Sequence, residues 1–186
     1  MGSVGDHQEH GPTLVRFARE CLREKLGGKK ADTPSGEWCG DHVATFVTLR
    51  WPDGRLQGCI GSLEAKRCIV EDVAHNAVAA ALLDPRAATL EATDIDELVF
   101  ELSILSPLVA LSFEDEISAL RQIRPGIDGV VLAWSGGRAT FLPSMWPRLG
   151  TTEALVEALK KKAGMDRAWG DDVKLWTYTV EKFVDP

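Results

Sequence analysis

The sequence lacks the features of a membrane-spanning, disulfide-stabilised or nucleic-acid-binding protein. Its 186 residues include no apolar run near the ~20 residues that a transmembrane helix needs. The four cysteines, Cys21, Cys39, Cys59 and Cys68, show no C-x-x-C spacing, so reduced thiols are expected. A formal net charge of −7 disfavours binding to nucleic acid through bulk electrostatics. Residues 1–11 predict a flexible tail without the apolar core of a signal peptide, which makes a cytoplasmic location the expectation.

Signatures of cofactor and metal sites are also missing. The sequence contains no P-loop, no Rossmann glycine pattern and no nucleophile elbow. The closely spaced ligand pairs are Cys39-x-x-His42 and His7-x-x-His10, and a structural zinc site needs about four ligands. We therefore expect neither a cofactor nor a native metal site.

Hydrophobic periodicity predicts two successive β-β-α-β-like units, each built on a hairpin. In the first half the pattern predicts helices at 12–26 and 69–83 and strands at 42–51, 55–60 and 97–105. In the second half it predicts helices near 114–122 and at 151–163 and strands at 128–134, 138–142 and 172–183. Because hairpins make antiparallel pairs, the expected class is α+β, with mainly antiparallel sheet and packed helices. We expect one domain over 12–186, or two lobes at about 12–110 and 111–186 with a ligand cleft between them.

A run of short motifs resembles one known family. The stretch LQGCIGSLEA at 56–65 is similar to the AMMECR domain signature, usually L-R-G-C-I-G. Other segments agree in order: FVTLRWPDG, EDVAHNAVAAALLDPR, ELSILSP, GIDGVVL, ATFLPSMW and KKAGM. The resemblance covers roughly residues 12–184 and implies a compact α+β domain with a duplicated plan, but no settled activity. Bacterial members resemble AmmeMemoRadiSam system protein A, which implies Memo-like and radical SAM proteins as partners in one pathway.

The signature stretch makes specific predictions about side-chain direction. Gln57 stands where the family usually has arginine, so an anion site there would lack one charge and a forked donor. Strict alternation places Gln57 and Cys59 on the same face of their strand. Gly58 would permit close approach of another backbone or a ligand, and Gly61 would take a positive φ at the strand exit.

The candidate catalytic residues are Cys59, Glu64 and Glu101. A nucleophilic cysteine needs a lowered pKa, usually from a nearby histidine or helix N-terminus. His75 is predicted on the wet face of its helix, next to Glu71 and Asp72, and so away from Cys59. Glu101 could act as an acid or base, or could simply be exposed or paired.

The candidate binding residues are polar side chains and glycines on or near the signature strand and its counterpart in the second half. They are Gln57, Gly58, Gly61, Ser62, Asn76, Ser103, Asp128 and Arg138. Asn76 could make a structural hydrogen bond to the 61–65 backbone or join Cys59 in a polar site. Asp128 could equally be turn chemistry, and Arg138 could face the same cleft from the second hairpin.

Two functions remain open at this point. The favoured one is an accessory module that binds a small-molecule ligand or a protein partner, because no complete catalytic constellation can be assembled from these residues. The alternative is an enzyme that uses Cys59 and nearby acids in a cleft, acting on a small molecule or a modified macromolecule.

Overall fold

The computed structural model describes residues 7–185, which form two compact units. The first unit contains the described residues up to Ser106 together with those from Glu181, and the second contains Pro107–Val180. The helices are α1 (Gly11–Lys25), α2 (Ile69–Leu82), α3 (Glu116–Leu120), α4 (Trp146–Leu149) and α5 (Thr152–Lys162). The strands are β1 (Thr45–Arg50), β2 (Leu56–Gly61), β3 (Val99–Leu105), β4 (Val109–Ala110), β5 (Gly129–Trp134), β6 (Gly137–Phe141), β7 (Lys174–Tyr178) and β8 (Val180–Val184).

In the first unit, α1 and α2 pack against one face of a four-stranded sheet of order β2-β1-β3-β8. Along β3 the residues Phe100, Leu102 and Ile104 are fully buried, and the residues between them are only half-buried. This alternation places one face of the sheet on the helices. The small side chains Ala77 and Ala80 of α2 are also fully buried, which lets the helix lie close to the sheet.

The second unit repeats this arrangement with a sheet of order β4-β7-β5-β6. Its hairpin β5–β6, helix α5 and third strand β7 correspond to β1–β2, α2 and β3. The helix α5 begins where the Thr151 hydroxyl accepts the Ala154 N–H at 3.2 Å, and it buries Leu155 and Leu159. The predicted α+β class with antiparallel sheets and packed helices is confirmed, and the duplicated plan is present in both sheets.

The C-terminal strand differs from the sequence prediction. The predicted strand at 172–183 is two strands, because β7 pairs in the second sheet whereas β8 belongs to the first. The described residues after Val180 belong to the first unit, and the expected organisation as one domain or two lobes stays a prediction. Residues 1–6 of the predicted tail lie outside the described residues, and the remainder forms a turn that leads into α1, with His7 buried. The cleft between the two halves stays a prediction. No helix within 7–185 has the length and apolar character to cross a membrane.

Candidate functional site

The signature stretch forms β2, an edge strand of the first sheet, and it contains a β-bulge. In the register with β1, Gly58 lies opposite Leu49 and Leu56 lies opposite Arg50, which leaves Gln57 as the additional residue. A bulge of this kind interrupts the alternation of side chains. The prediction that Gln57 and Cys59 share a face is therefore wrong.

Gln57 is fully buried and makes structural hydrogen bonds. Its amide nitrogen donates to the Ala88 carbonyl at 2.7 Å and to the Ala81 carbonyl at 3.4 Å. Its side-chain oxygen accepts the Trp51 indole N–H at 3.0 Å. Both ends of the amide are thus occupied by protein groups, so at this position the side chain joins β2 to α2 and the segment after it.

The two glycines of the motif are required by close packing. A Cβ on Gly58 would lie 2.9 Å from the Ala80 carbonyl carbon of α2, and closer still to its oxygen. The predicted close approach of a backbone at Gly58 is confirmed. Gly61 does not have a positive φ, which corrects that prediction. Instead, a Cβ there would overlap the ring of Phe46 and the carbonyl oxygen of Thr45 on β1.

Cys59 lies on the face of β2 away from the helices, where it contacts Thr48 and Asp84. Its half-buried sulfur accepts a hydrogen bond from the Thr48 hydroxyl at 3.0 Å. Its backbone N–H, on the open edge of the sheet, donates to the Asp84 carboxylate at 2.8 Å. Arg86 makes two side-chain hydrogen bonds to the same carboxylate, at 2.9 and 2.7 Å. We call Thr48, Cys59, Asp84 and Arg86 the Cys59 cluster.

The electrostatics of the cluster are dominated by its ion pair. Hydrogen bonds from the Arg86 side chain, followed by those from the backbone N–H groups of Cys59 and Arg86, hold the pKa of Asp84 well below its usual range despite its burial. The pKa of Arg86 is raised, first by its hydrogen bonds to Asp84 and to a smaller extent by the negative charge of a Cys59 thiolate. The guanidinium is thus anchored by a buried acid and lies within electrostatic reach of the thiol.

Sequence reasoning missed both Asp84 and Arg86 as site residues. The dipeptide Asp84-Pro85 is typical of the end of a helix, and that role alone predicts no functional site. The available signal was the segment EDVAHNAVAAALLDPR, which carries both residues within the family resemblance.

Glu101 and Ser103 lie on the same sheet face as Cys59, and Ser62 and Glu64 lie in the loop after β2. Glu101 is opposite Thr48, which is opposite Cys59, so a strand separates the acid from the thiol. Glu101 pairs with Arg50 at 3.5 Å and Lys182 at 2.8 Å, which is the paired alternative considered above.

The loop candidates and Ser103 do not extend the cluster in the way the sequence suggested. Ser62 and Glu64 hydrogen-bond to each other in a turn, at 3.0 Å, and Glu64 also pairs with Lys66 at 2.9 Å. Ser103 lies opposite Phe46 on β1, beyond the register position of Cys59.

Asn76 belongs to a buried polar network under the sheet. Its amide donates to the Thr45 carbonyl at 3.1 Å, to the Thr45 hydroxyl at 3.0 Å and to Asp72 at 3.0 Å. Asp72 also accepts the Thr45 N–H at 3.0 Å and the Thr45 hydroxyl at 2.7 Å. Asn76 thus makes the structural bond expected of it, but to β1 rather than to the 61–65 backbone.

Of the predictions for two other polar residues of α2, His75 and Asp72, one is right and one is wrong. His75 is exposed, as predicted. The prediction that Asp72 lies on the wet face is wrong, because its carboxylate is fully buried. The hydrogen bonds from Thr45 and Asn76 provide the compensation that a buried charge requires.

Asp128 and Arg138 lie in the second unit, at opposite ends of the β5–β6 hairpin. Asp128 is buried and accepts hydrogen bonds from the Arg124 backbone at 2.8 Å and side chain at 2.6 Å, which supports the interpretation as turn chemistry. Arg138 is exposed on β6 with its guanidinium 5.8 Å from the ring of Trp176. Across residues 7–185, no group of three or more His, Cys, Asp or Glu side chains is arranged to hold a metal ion.

Comparisons with known proteins agree on one family. The AMMECR1 family profile matches residues 15–183. A protein of Thermotoga maritima is 33% identical over 142 residues, covering 76% of this chain and 77% of that protein. A protein of Methanocaldococcus jannaschii is 31% identical over 180 residues, covering 94% of this chain and 90% of that protein.

A solved structure supports the same assignment. The crystal structure of an uncharacterized protein from Pyrococcus horikoshii superimposes with a TM-score of 0.82 at 29% identity, covering 95% of this chain and 91% of that chain. The LQGCIG strand, its bulge and the matched span 15–183 together leave one conclusion: the chain belongs to the AMMECR1 family.

Proposed function

We propose that this protein is an accessory binding module whose Cys59 cluster, together with Leu82 and Leu83, contacts a protein partner. The partners we propose are the Memo-like and radical SAM proteins of one pathway, which the resemblance to AmmeMemoRadiSam system protein A suggests. The observation that carries the proposal is that the acids around Cys59 are already engaged in ion pairs.

The ion pairs argue against acid–base chemistry at the thiol. Asp84 accepts hydrogen bonds from Arg86 and from the Cys59 backbone, and Glu101 is paired with Arg50 and Lys182. A general base must take up a proton, and doing so here would break these pairs. The Thr48 hydroxyl donates its proton to the sulfur and so does not accept one from it.

The surface beside the cluster has the composition of a protein contact. Leu83 is 71% exposed and Leu82 is 38% exposed at the end of α2, directly before Asp84. The Arg86 side chain is 59% exposed although Asp84 fixes its orientation. An exposed apolar anchor beside an arginine that is already held in place is typical of the few residues that dominate binding energy.

The test is a binding titration against the purified Memo-like and radical SAM proteins of the source organism. We expect Leu83→Asp and Arg86→Gln each to weaken binding to one of them by about tenfold or more, since truncated contact residues typically cost over 1 kcal/mol. We expect Cys59→Ser to bind as the unmodified protein does. Circular dichroism of each variant establishes that it is folded.

The chain offers a matched control for the arginine. Arg124 in the second unit pairs with buried Asp128 and is 60% exposed, closely like Arg86 with Asp84. Arg124→Gln should therefore change the charge and lose an ion pair without changing affinity. Equal binding by the Leu83, Arg86 and Arg124 variants would refute the proposed contact surface.

A second candidate, an enzyme that uses Cys59, is favoured by the position of Arg86. The Arg86 guanidinium is held by Asp84 within electrostatic reach of the thiol, and its forked donors suit an anionic group of a substrate. The discriminating measurement is product formation by the reconstituted pathway proteins with Cys59→Ser. Loss of product with binding intact would favour the enzyme, whereas an unchanged rate would favour the binding module.

A further inference from the structure

Two cysteines outside the Cys59 cluster come together where the chain enters α2. Cys68 lies directly opposite His42 in an isolated antiparallel bridge, and the Asp41 carbonyl accepts the Ile69 N–H at 2.8 Å. Opposed residues in an antiparallel pair have Cα atoms about 4.5–5.5 Å apart. Cys39 belongs to the 3-10 turn Glu37–Gly40, and Asp41 directly follows that turn. Residues 29 positions apart in sequence are thereby brought to one place.

The two thiols also share an environment. Both are free and half-buried, and both pack against the hydrophobic core of the first unit. The pKa of Cys39 is raised, first by burial and next by the negative charge of Cys68. Because both cysteines are partly exposed, a small reagent can reach one thiol. The other cysteine then supplies the second thiol that a disulfide needs.

We propose that Cys39 and Cys68 form a reversible disulfide, with a low-molecular-weight disulfide such as oxidised glutathione as the oxidant. One thiolate attacks a glutathione sulfur and releases the first glutathione thiolate, which takes up a proton. The second thiolate then attacks the protein sulfur of the mixed disulfide and releases the second glutathione. Two protein thiols are oxidised to one disulfide, and one glutathione disulfide is reduced to two thiols.

The other two cysteines lie on different elements, Cys21 on α1 and Cys59 on β2. Cys21 lies on α1, where burial, followed by the negative charges of Glu24 and Glu20, raises the pKa of its thiol to about 11. Such a thiol is almost entirely protonated at neutral pH and reacts slowly. The Cys59 sulfur is hydrogen-bonded to Thr48 on the opposite face of the sheet from the helices.

The bond would tie the 3-10 turn to the first turn of α2. It closes a loop of about 30 residues, for which chain-entropy arguments predict substantial stabilisation of the folded state. For a protein of this size we expect the melting temperature of the first unit to rise by about 5 °C or more on oxidation and to return on reduction.

The experiment is peptide mapping of the full-length protein after incubation with oxidised glutathione and alkylation of the remaining thiols. Trypsin should release a disulfide-linked pair of peptides spanning 31–50 and 68–86, with the peptides of Cys21 and Cys59 alkylated. Dithiothreitol should separate the pair and reverse the melting shift. Cys39→Ser and Cys68→Ser should abolish both signals, and Cys21→Ser should abolish neither.

Several outcomes would overturn the inference. Stable glutathionylation of both cysteines without a cross-link would show that the sulfurs cannot meet. A cross-link of either residue to Cys59 or Cys21 would also overturn the inference, and so would the absence of any oxidation of the pair. Because the mapping is performed on the unsubstituted protein, it remains decisive even if one serine variant fails to fold.

Discussion

Replacing Gly58 with alanine should strongly destabilise the first unit. The added Cβ would lie 2.9 Å from the Ala80 carbonyl carbon and 3.0 Å from the Asp84 Cβ, and would overlap the Ala80 oxygen. A side chain in this position could rotate away, but a helix carbonyl cannot, so β2 and α2 must separate.

The magnitude follows from two opposing effects. Overpacking a core by one methyl group costs about 1–3 kcal/mol, and a backbone obstacle places Gly58→Ala at the upper end. The lower conformational entropy of the unfolded alanine chain returns about 0.4–1 kcal/mol. We therefore expect a net loss of about 2 kcal/mol in the free energy of unfolding, which corresponds to a fall of about 1 M in the urea midpoint.

Urea unfolding followed by circular dichroism measures the loss, and hydrogen exchange localises it. The Cys59 amide should exchange faster in Gly58→Ala, because its bond to Asp84 spans the gap that opens. Gly40→Ala is the control, since a Cβ there meets nothing within 4 Å and Gly40 has no positive φ. If the two variants were equally stable, the close contact between β2 and α2 would be refuted.

Three further predictions concern buried polar groups. Asp72→Asn should lower the free energy of unfolding by about 2–4 kcal/mol because it weakens the bonds to Thr45, whereas Glu71→Gln on the exposed face should be neutral within about 0.5 kcal/mol; equal urea midpoints would contradict this. Tyr178 is the single tyrosine, and burial raises its pKa to about 12, so the tyrosinate absorbance should titrate near pH 12. The stabilising contribution of Tyr178 is complete below its unfolded pKa of about 10 and is lost as pH rises from there through 12. A titration midpoint near pH 10 would refute the burial of Tyr178. The pKa of Asp84 is depressed, so its contribution to the free energy of unfolding is present above its unfolded pKa of about 4 and is lost as pH falls below that value. Asp84→Asn should remove this part of the acid sensitivity. An unchanged profile of stability against pH would count against the ion pair.

Regular periodicity accounts for what the sequence predicted correctly. The alternation of Phe100, Leu102 and Ile104 placed β3, and the apolar stripe of α2 separated exposed His75 from the buried alanines. Each of these signals repeats over several residues, so the hydrophobic pattern averages out local exceptions. The duplicated plan could be predicted because both hairpins contain turn residues, PDG at 52–54 and SGG at 135–137.

Single exceptions to periodicity explain what was missed. The bulge at Gln57 reverses one side chain, and a count of alternate positions cannot detect an added residue. The burial of Asp72 and Asp84 depends on donors distant in sequence, Thr45 in one case and the Cys59 backbone in the other. Charged carboxylates are ordinarily exposed to solvent, and here tertiary hydrogen bonds compensate for the burial of both acids.

The boundary between β7 and β8 was invisible for a different reason. The segment 172–183 has one continuous strand-like pattern, yet Lys174–Tyr178 pairs in the second sheet and Val180–Val184 in the first. The sheet that a strand joins depends on the strands it pairs with, and the hydrophobic pattern of one segment does not identify those strands.

The return of β8 to the first sheet has a consequence for synthesis on the ribosome. The Asp185 amide donates to the Phe100 carbonyl at 2.9 Å, and the Asp185 carboxylate is bound by Arg19 of α1. The nascent first unit therefore waits for the intervening 107–180 segment before its sheet is complete, about 4–15 s at usual elongation rates. During that interval the edge of β3 is unpaired and can pair with a strand of another chain.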